Sequence, residues 1–315
     1  MGQQLGKIEA IRHKARTQAD RWRTGWSTPR PSEGYVNAVS RLTGALVRAV
    51  LIMVLVATPS LLLSDVGTDT RQMVALIALF LGALTFVEYA STYPSLIEFR
   101  HAPPFNRIRF LSLFVTVFVL SLIAREDAAP GQLTQLLQAI GAMMGDMLDF
   151  PYSPVRLVVL TVSAELGPEH LALVRTAAGI CYIVSLVMLS VFVLYIRTGH
   201  WPARGSSFNV WLNLPTFDPT AGRDVVYRLE RDARVNIALG VLLPFLMPAV
   251  VQAATSGIGP VTLDNPQVLI WTMAAWSFLP ASLFMRGIAM GRVAEMIREQ
   301  RRQPGDAAQA PLPAA

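Results

Sequence analysis

Long apolar runs, each bounded by short clusters of charge, dominate the chain at about 42–64, 72–91, 108–124, 176–196, 235–254 and 268–285. A helix needs about 20 such residues to cross bilayer hydrocarbon roughly 30 Å thick. Only helices and closed barrels satisfy their backbone there. The polar/apolar alternation of barrel strands, about ten residues per strand, is missing. The pattern therefore predicts an all-α, polytopic helical membrane protein with about six transmembrane helices. Gly167-Pro168-Glu169 reads as a helix opening with proline at the first position, so the fourth span is expected to start well before 176. Pro244 and Pro248 predict a kinked fifth span whose freed backbone groups need a neighbouring helix.

The polar segments carry pattern of their own. Between spans three and four, Leu133, Leu136, Leu137, Ile140, Met144, Met147 and Leu148 recur at helical spacing, opposite Gln132, Thr134, Gln135 and Gln138. This predicts an outer amphipathic helix at about 132–148, its apolar face on the membrane surface or on the bundle. Val155–Ala164 is apolar but too short to span, which leaves a re-entrant or an interfacial segment. Asp218-Pro219-Thr220 reads as a helix cap, with a charged helix over 225–236 leading into span five. Pro29, Pro31 and Gly34 are expected to break any helix before span one.

Charge then orients the bundle. The 315 residues are 53% apolar and only 15% charged, against roughly 25% in a soluble domain. With the N-terminus inside, 22 of the 27 lysines and arginines fall on the cytoplasmic side and four outside, with Arg48 within span one. That alternation is the positive-inside pattern of a multi-pass inner-membrane protein with both termini cytoplasmic. It also accounts for the net charge of +6 without nucleic acid as a partner. The expected organisation is a basic cytoplasmic tail at 1–40, a transmembrane domain at 41–302 and a disordered tail at 303–315. The first apolar run begins too late for a cleavable signal and reads as a signal anchor. In the basic tail, Trp22 and Trp26 lie among arginines, which suits an anionic lipid surface. Membrane lipids are thus expected partners, with membrane-protein partners or a second copy of the chain. Gly287 and Gly291, spaced as GxxxG, permit close helix contact and lend some support to dimerisation.

Candidate chemistry is sparse. Phosphate-binding, dinucleotide, nucleophile-elbow and zinc-protease motifs are all missing from the sequence. The four histidines fall in tails or loops, which argues against bis-histidine haem, and no cofactor is expected. Cys181, the single cysteine, reads as a small buried hydrophobe. Glu98 and His101 match half of a carboxylate-bridged di-iron pattern, which needs two copies. The segment from Glu88 to Phe110 is dense in aromatic, proline and charged residues, so Glu98, Arg100, His101, Asn106 and Arg107 form a candidate cytoplasmic loop site or a structural collar. Within the spans, Arg48 and Glu88 each lie sixteen residues from the outer ends of their runs. Equal depth on adjacent helices predicts an ion pair, with Tyr89 or Arg109 competing. Its role is a helix clamp or an ion relay through Glu88. These features favour a non-enzymatic protein that scaffolds, assembles or regulates a membrane complex. The alternatives are a transporter or channel using Glu88 and the kinked span, and a membrane enzyme using the cytoplasmic loops.

Overall fold

The computed structural model describes residues 31–309 apart from 65, 93–94, 101–102, 126–129, 163–165, 199–200, 202–212, 219–221, 223 and 259–262. Its helices are α1 (Pro31–Leu62), α2 (Thr68–Ala90), α3 (Pro103–Ile123), α4 (Gln132–Leu148), α5 (Pro154–Thr161), α6 (Pro168–Arg197), α7 (Val225–Ile258) and α8 (Pro266–Gln309). Six of them, α1, α2, α3, α6, α7 and α8, are long and apolar enough to cross a membrane. The described residues contain no strand. With six crossings, both ends of the spanning bundle and the described residues of the α2–α3 and α6–α7 connections fall on one side, here the terminal face. The described residues between α1 and α2, between α3 and α6 and between α7 and α8 make the opposite face.

The element boundaries follow local chemistry. Pro168 opens α6 at its first position, as the sequence predicts. The expected break at Pro31 and Gly34 does not occur, because α1 starts at Pro31 and runs through Gly34. A first-turn amide has no helical acceptor, so proline costs little there. At the other end α8 continues through residues 303–309, where a disordered tail is expected. The basic tail at 1–30 and the segment 310–315 lie outside the described residues.

Helix α8 is the centre of the bundle, packing on α7, α6 and α3 and touching α1. Its seam with α7 depends on glycine. A Cβ on Gly240 would come within 2.8 Å of the Pro280 carbonyl oxygen, and one on Gly287 within 2.7 Å of the Ala233 carbonyl oxygen. The GxxxG motif is thus occupied within the chain: Gly287 packs onto α7, and the Cβ position of Gly291 lies 3.9 Å from that of Ala233. The gap that Pro248 leaves in the α7 hydrogen-bond ladder is filled across the same seam. Pro248 cannot donate to the carbonyl of Pro244, and the Trp276 indole donates to that oxygen at 3.1 Å. Helix α2, by contrast, packs on α1 and on no other helix among the described residues.

The outer amphipathic helix α4 lies where the sequence places it, but its packed face is the small one. Thr134, Gly141 and Gly145 are buried, while Leu133 is 57% and Met147 67% exposed. A Cβ on Gly179 would meet the Gly145 backbone at 2.6 Å, so α4 and α6 cross backbone against backbone. Small residues allow that approach, and Leu133, Leu136, Ile140, Met143 and Met147 are left exposed, while Leu148 packs on the core. The segment at Val155–Ala164 resolves as α5, capped by Ser153 accepting from the Arg156 amide, with Val155, Val158 and Val159 buried in the core. Asp149 ties α4 to its neighbours through Arg175 at 2.8 Å and Arg156 at 3.3 Å. Cys181 is buried in this core as a free thiol.

Candidate functional site

The sharp turn after α2 is built around Glu88. One carboxylate oxygen accepts from the Ser95 hydroxyl, and the other accepts from the backbone amides of Ser95, Leu96 and Ile97 at 3.0–3.3 Å. Arg100 closes the turn from the other side, donating to the carbonyl oxygens of Glu88 and Ser91 at 2.9 and 2.7 Å. A cation on the exposed carbonyls at a helix C-terminus also complements the helix dipole.

The expected Arg48–Glu88 pair is not formed among the described residues. Helix α2 begins at Thr68, four residues before the apolar run, so Glu88 lies about 30 Å along the helix from its outer end. Arg48 lies only about 21 Å from the outer end of α1 at Leu62. The depths differ, and three preformed amides outcompete a long side chain that loses rotamer entropy on ordering. Arg48 instead stacks over Tyr89, 4.6 Å from the ring centroid, and donates to the Gly44 carbonyl at 2.6 Å.

Segment 98–106 is fixed by an unusual backbone. Phe99 has φ of 52°, a left-handed conformation that a bulky residue rarely adopts, at a cost of about 1–3 kcal/mol. Burial of its ring against Phe105 at 4.5 Å and Trp201 at 5.9 Å offsets that cost. Asn106 secures the turn by donating to the carbonyls of Glu98 and Phe99. The reversal turns the Glu98 side chain toward Arg286 of α8. Arg286 binds it through both carboxylate oxygens, at 2.6 and 2.8 Å, and donates its third nitrogen to Asn236 of α7 at 3.1 Å. Thr216 adds a 2.8 Å bond to Glu98 from the segment before α7. Burial alone would raise the Glu98 carboxyl, but the hydrogen bonds from Arg286 and Thr216 and the nearby arginine charges hold it below the ordinary carboxylate range.

These groups line one side of a cavity of about 890 Å³ that reaches from the terminal face into the bundle between α1, α3, α7 and α8. Arg48, Arg100, Arg107, Arg109 and Arg286 contribute five cations to its wall, and Glu98 is the one carboxylate among the lining residues. Deeper in, the wall is apolar, formed by Leu51, Ile52 and Leu55 of α1, Leu113 of α3, and Leu243 and Met247 of α7. Helices α1 and α7 face each other across this space without touching. Arg109 stands at the inner end of the charged zone, its guanidinium 5.2 Å from the Phe105 centroid and 5.6 Å from that of Phe278. Its Nε is buried with no hydrogen-bond acceptor among the described residues.

Of the sequence candidates, then, Glu98, Arg100, Asn106 and Arg107 come together around one cavity, with Arg48 on its far wall. Glu88 serves the turn beneath it, and His101 lies outside the described residues. Sequence reasoning missed Arg286, Asn236 and Thr216. Arg286 had a usable signal, since it stands alone among apolar residues near the end of a span, where a charge implies a partner. Comparison with family models, with curated proteins and with solved structures found no match.

Proposed function

We propose that this is a bacterial inner-membrane protein, with its terminal face in the cytoplasm, that holds an anionic amphiphile in the cavity on that face without converting it. The cavity carries the argument: a rim of arginines above an apolar wall, lined on two sides by α1 and α7, which do not contact each other. Basic pockets between spanning helices on the cytoplasmic side suit anionic headgroups. The distribution of lysine and arginine along the sequence supports the orientation. Glu98 gives its carboxylate to Arg286 and Thr216, which leaves the wall without a free carboxylate to act as a base. Glu88 is spent on four donors in the following turn, which weighs against an ion path through it. Retention of an amphiphile without turnover suits an accessory role within a larger membrane assembly.

Lipid extraction from protein purified in mild detergent, followed by mass spectrometry, tests the reading. The expected result is near-stoichiometric retention of an anionic lipid, lost when Arg48 and Arg107 are both replaced by glutamine. Recovery of zwitterionic lipid alone, or of none, would refute it.

A further inference from the structure

The chemistry of the rim narrows the ligand, on the premise that an anionic amphiphile is bound at all. Arg48 and Arg109 come from different helices, yet they lie at one depth. Residue 48 is as far from the end of α1 at Leu62 as residue 109 is from the end of α3 at Ile123, about 21 Å in each case. Both line the same cavity as Arg100 and Tyr89, with the Arg48 guanidinium over the Tyr89 ring. Among the described residues neither Arg48 nor Arg109 has a carboxylate within ion-pair distance, whereas Arg286 has Glu98. A carboxylate accepts its donors in one plane. A phosphoryl group presents its oxygens tetrahedrally and accepts donors from several directions at once. Arginines that approach from separate helices match the second geometry.

The source follows from depth. In hydrocarbon about 30 Å thick, a point about 21 Å from the outer boundary lies about 9 Å from the inner one, in the cytoplasmic leaflet, where a long arginine side chain can reach up to a headgroup. The wall below it is formed by Leu51, Leu55, Leu243 and Met247, which offer nothing to a free anion and a surface to an acyl or prenyl chain. We infer that the bound group is the phosphoryl headgroup of a membrane lipid, held by Arg48 and Arg109, with its chain in the gap between α1 and α7. Access is lateral, from the inner leaflet.

The full chain in a neutral detergent is titrated with dodecyl phosphate, dodecanoate and inorganic phosphate, with binding read from thermal stability and direct titration. Dodecyl phosphate is expected to bind at least tenfold more tightly than dodecanoate. Arg109→Gln and Arg48→Gln should each weaken it about tenfold, or 1.4 kcal/mol, while Arg71→Gln on the opposite face leaves it unchanged. Should Arg109→Gln fail to fold, Arg48→Gln decides, because that side chain is exposed and the change gives up only its stacking on Tyr89 and one bond within its own helix. Equal binding of dodecanoate would overturn the phosphoryl assignment and leave the amphiphile reading standing. Equal binding of inorganic phosphate would overturn the lipid source. No binding of either amphiphile would overturn both readings.

Discussion

The cavity has one tight wall and one loose wall. On the α7–α8 side, two glycines bring backbones into contact, an indole repairs a proline break, and Arg286 is tied to Glu98 and Asn236. On the α1–α2 side, a Cβ on Gly82 would meet the flexible side chain of Met53, α2 has a single neighbouring helix, and Arg48 has no carboxylate partner among the described residues. The same residue type thus does different work on each wall. An arginine whose donors are consumed is a brace, and one whose donors face a cavity is available to a ligand. Rigidity on one side with freedom on the other suits a site that admits a molecule from the bilayer.

The most direct way to break this comparison is to remove the brace. Arg286→Gln strands the half-buried Glu98 carboxylate and should cost about 2–3 kcal/mol, somewhat below the range for a fully buried pair, because the two side chains are 27% and 14% exposed. The thermal midpoint in detergent should fall by several degrees. Adding Glu98→Gln should recover part of the loss, and strict additivity of the two changes would deny the pair its structural role.

A matched pair of glycine substitutions sharpens the packing contrast. Gly287→Ala forces the new methyl against the Ala233 carbonyl and should destabilise by about 1–3 kcal/mol. Gly82→Ala asks only that Met53 move, and the gain in helix propensity, about 0.5–1 kcal/mol, offsets much of that cost. Equal midpoint shifts for the two variants would erase the distinction between the walls. Arg48→Gln in delipidated protein should change stability by less than about 0.5 kcal/mol, as for an exposed side chain without an ion pair. A large loss would mean that Arg48 is a brace as well.

The smallest expected effect is on pH dependence. Glu98 has its carboxyl lowered from the ordinary glutamate value of about 4.5, so its contribution to stability is fully present above that value. It is lost as the pH falls through the lower folded-state value. Glu98→Gln should therefore flatten the acid limb of the stability curve below about pH 4.5 and leave its shape at neutral pH unchanged.

What the sequence determined by itself is what length and composition control. Six helices, the proline start of α6 and the helix at Gln132–Leu148 all follow from backbone satisfaction in hydrocarbon and from the residues that open or interrupt helices. Glu98, Arg100, Asn106 and Arg107 were legible as a group because their segment is rich in polar and aromatic residues. The tertiary structure alone decided how they are used. Glu98 and Arg286 are 188 positions apart, and no local pattern joins them. Rotation about each helix axis was equally hidden. In water an apolar stripe marks the inward face, but a lipid-facing surface is as apolar as a packed one, so periodicity says little about which side meets a neighbour. That is why α4 turns its glycines inward and its leucines outward. The amides that follow Glu88 were equally hidden from residue counting, so two charges placed at one depth meet different partners: Glu88 its own following turn, and Arg48 the ring of Tyr89.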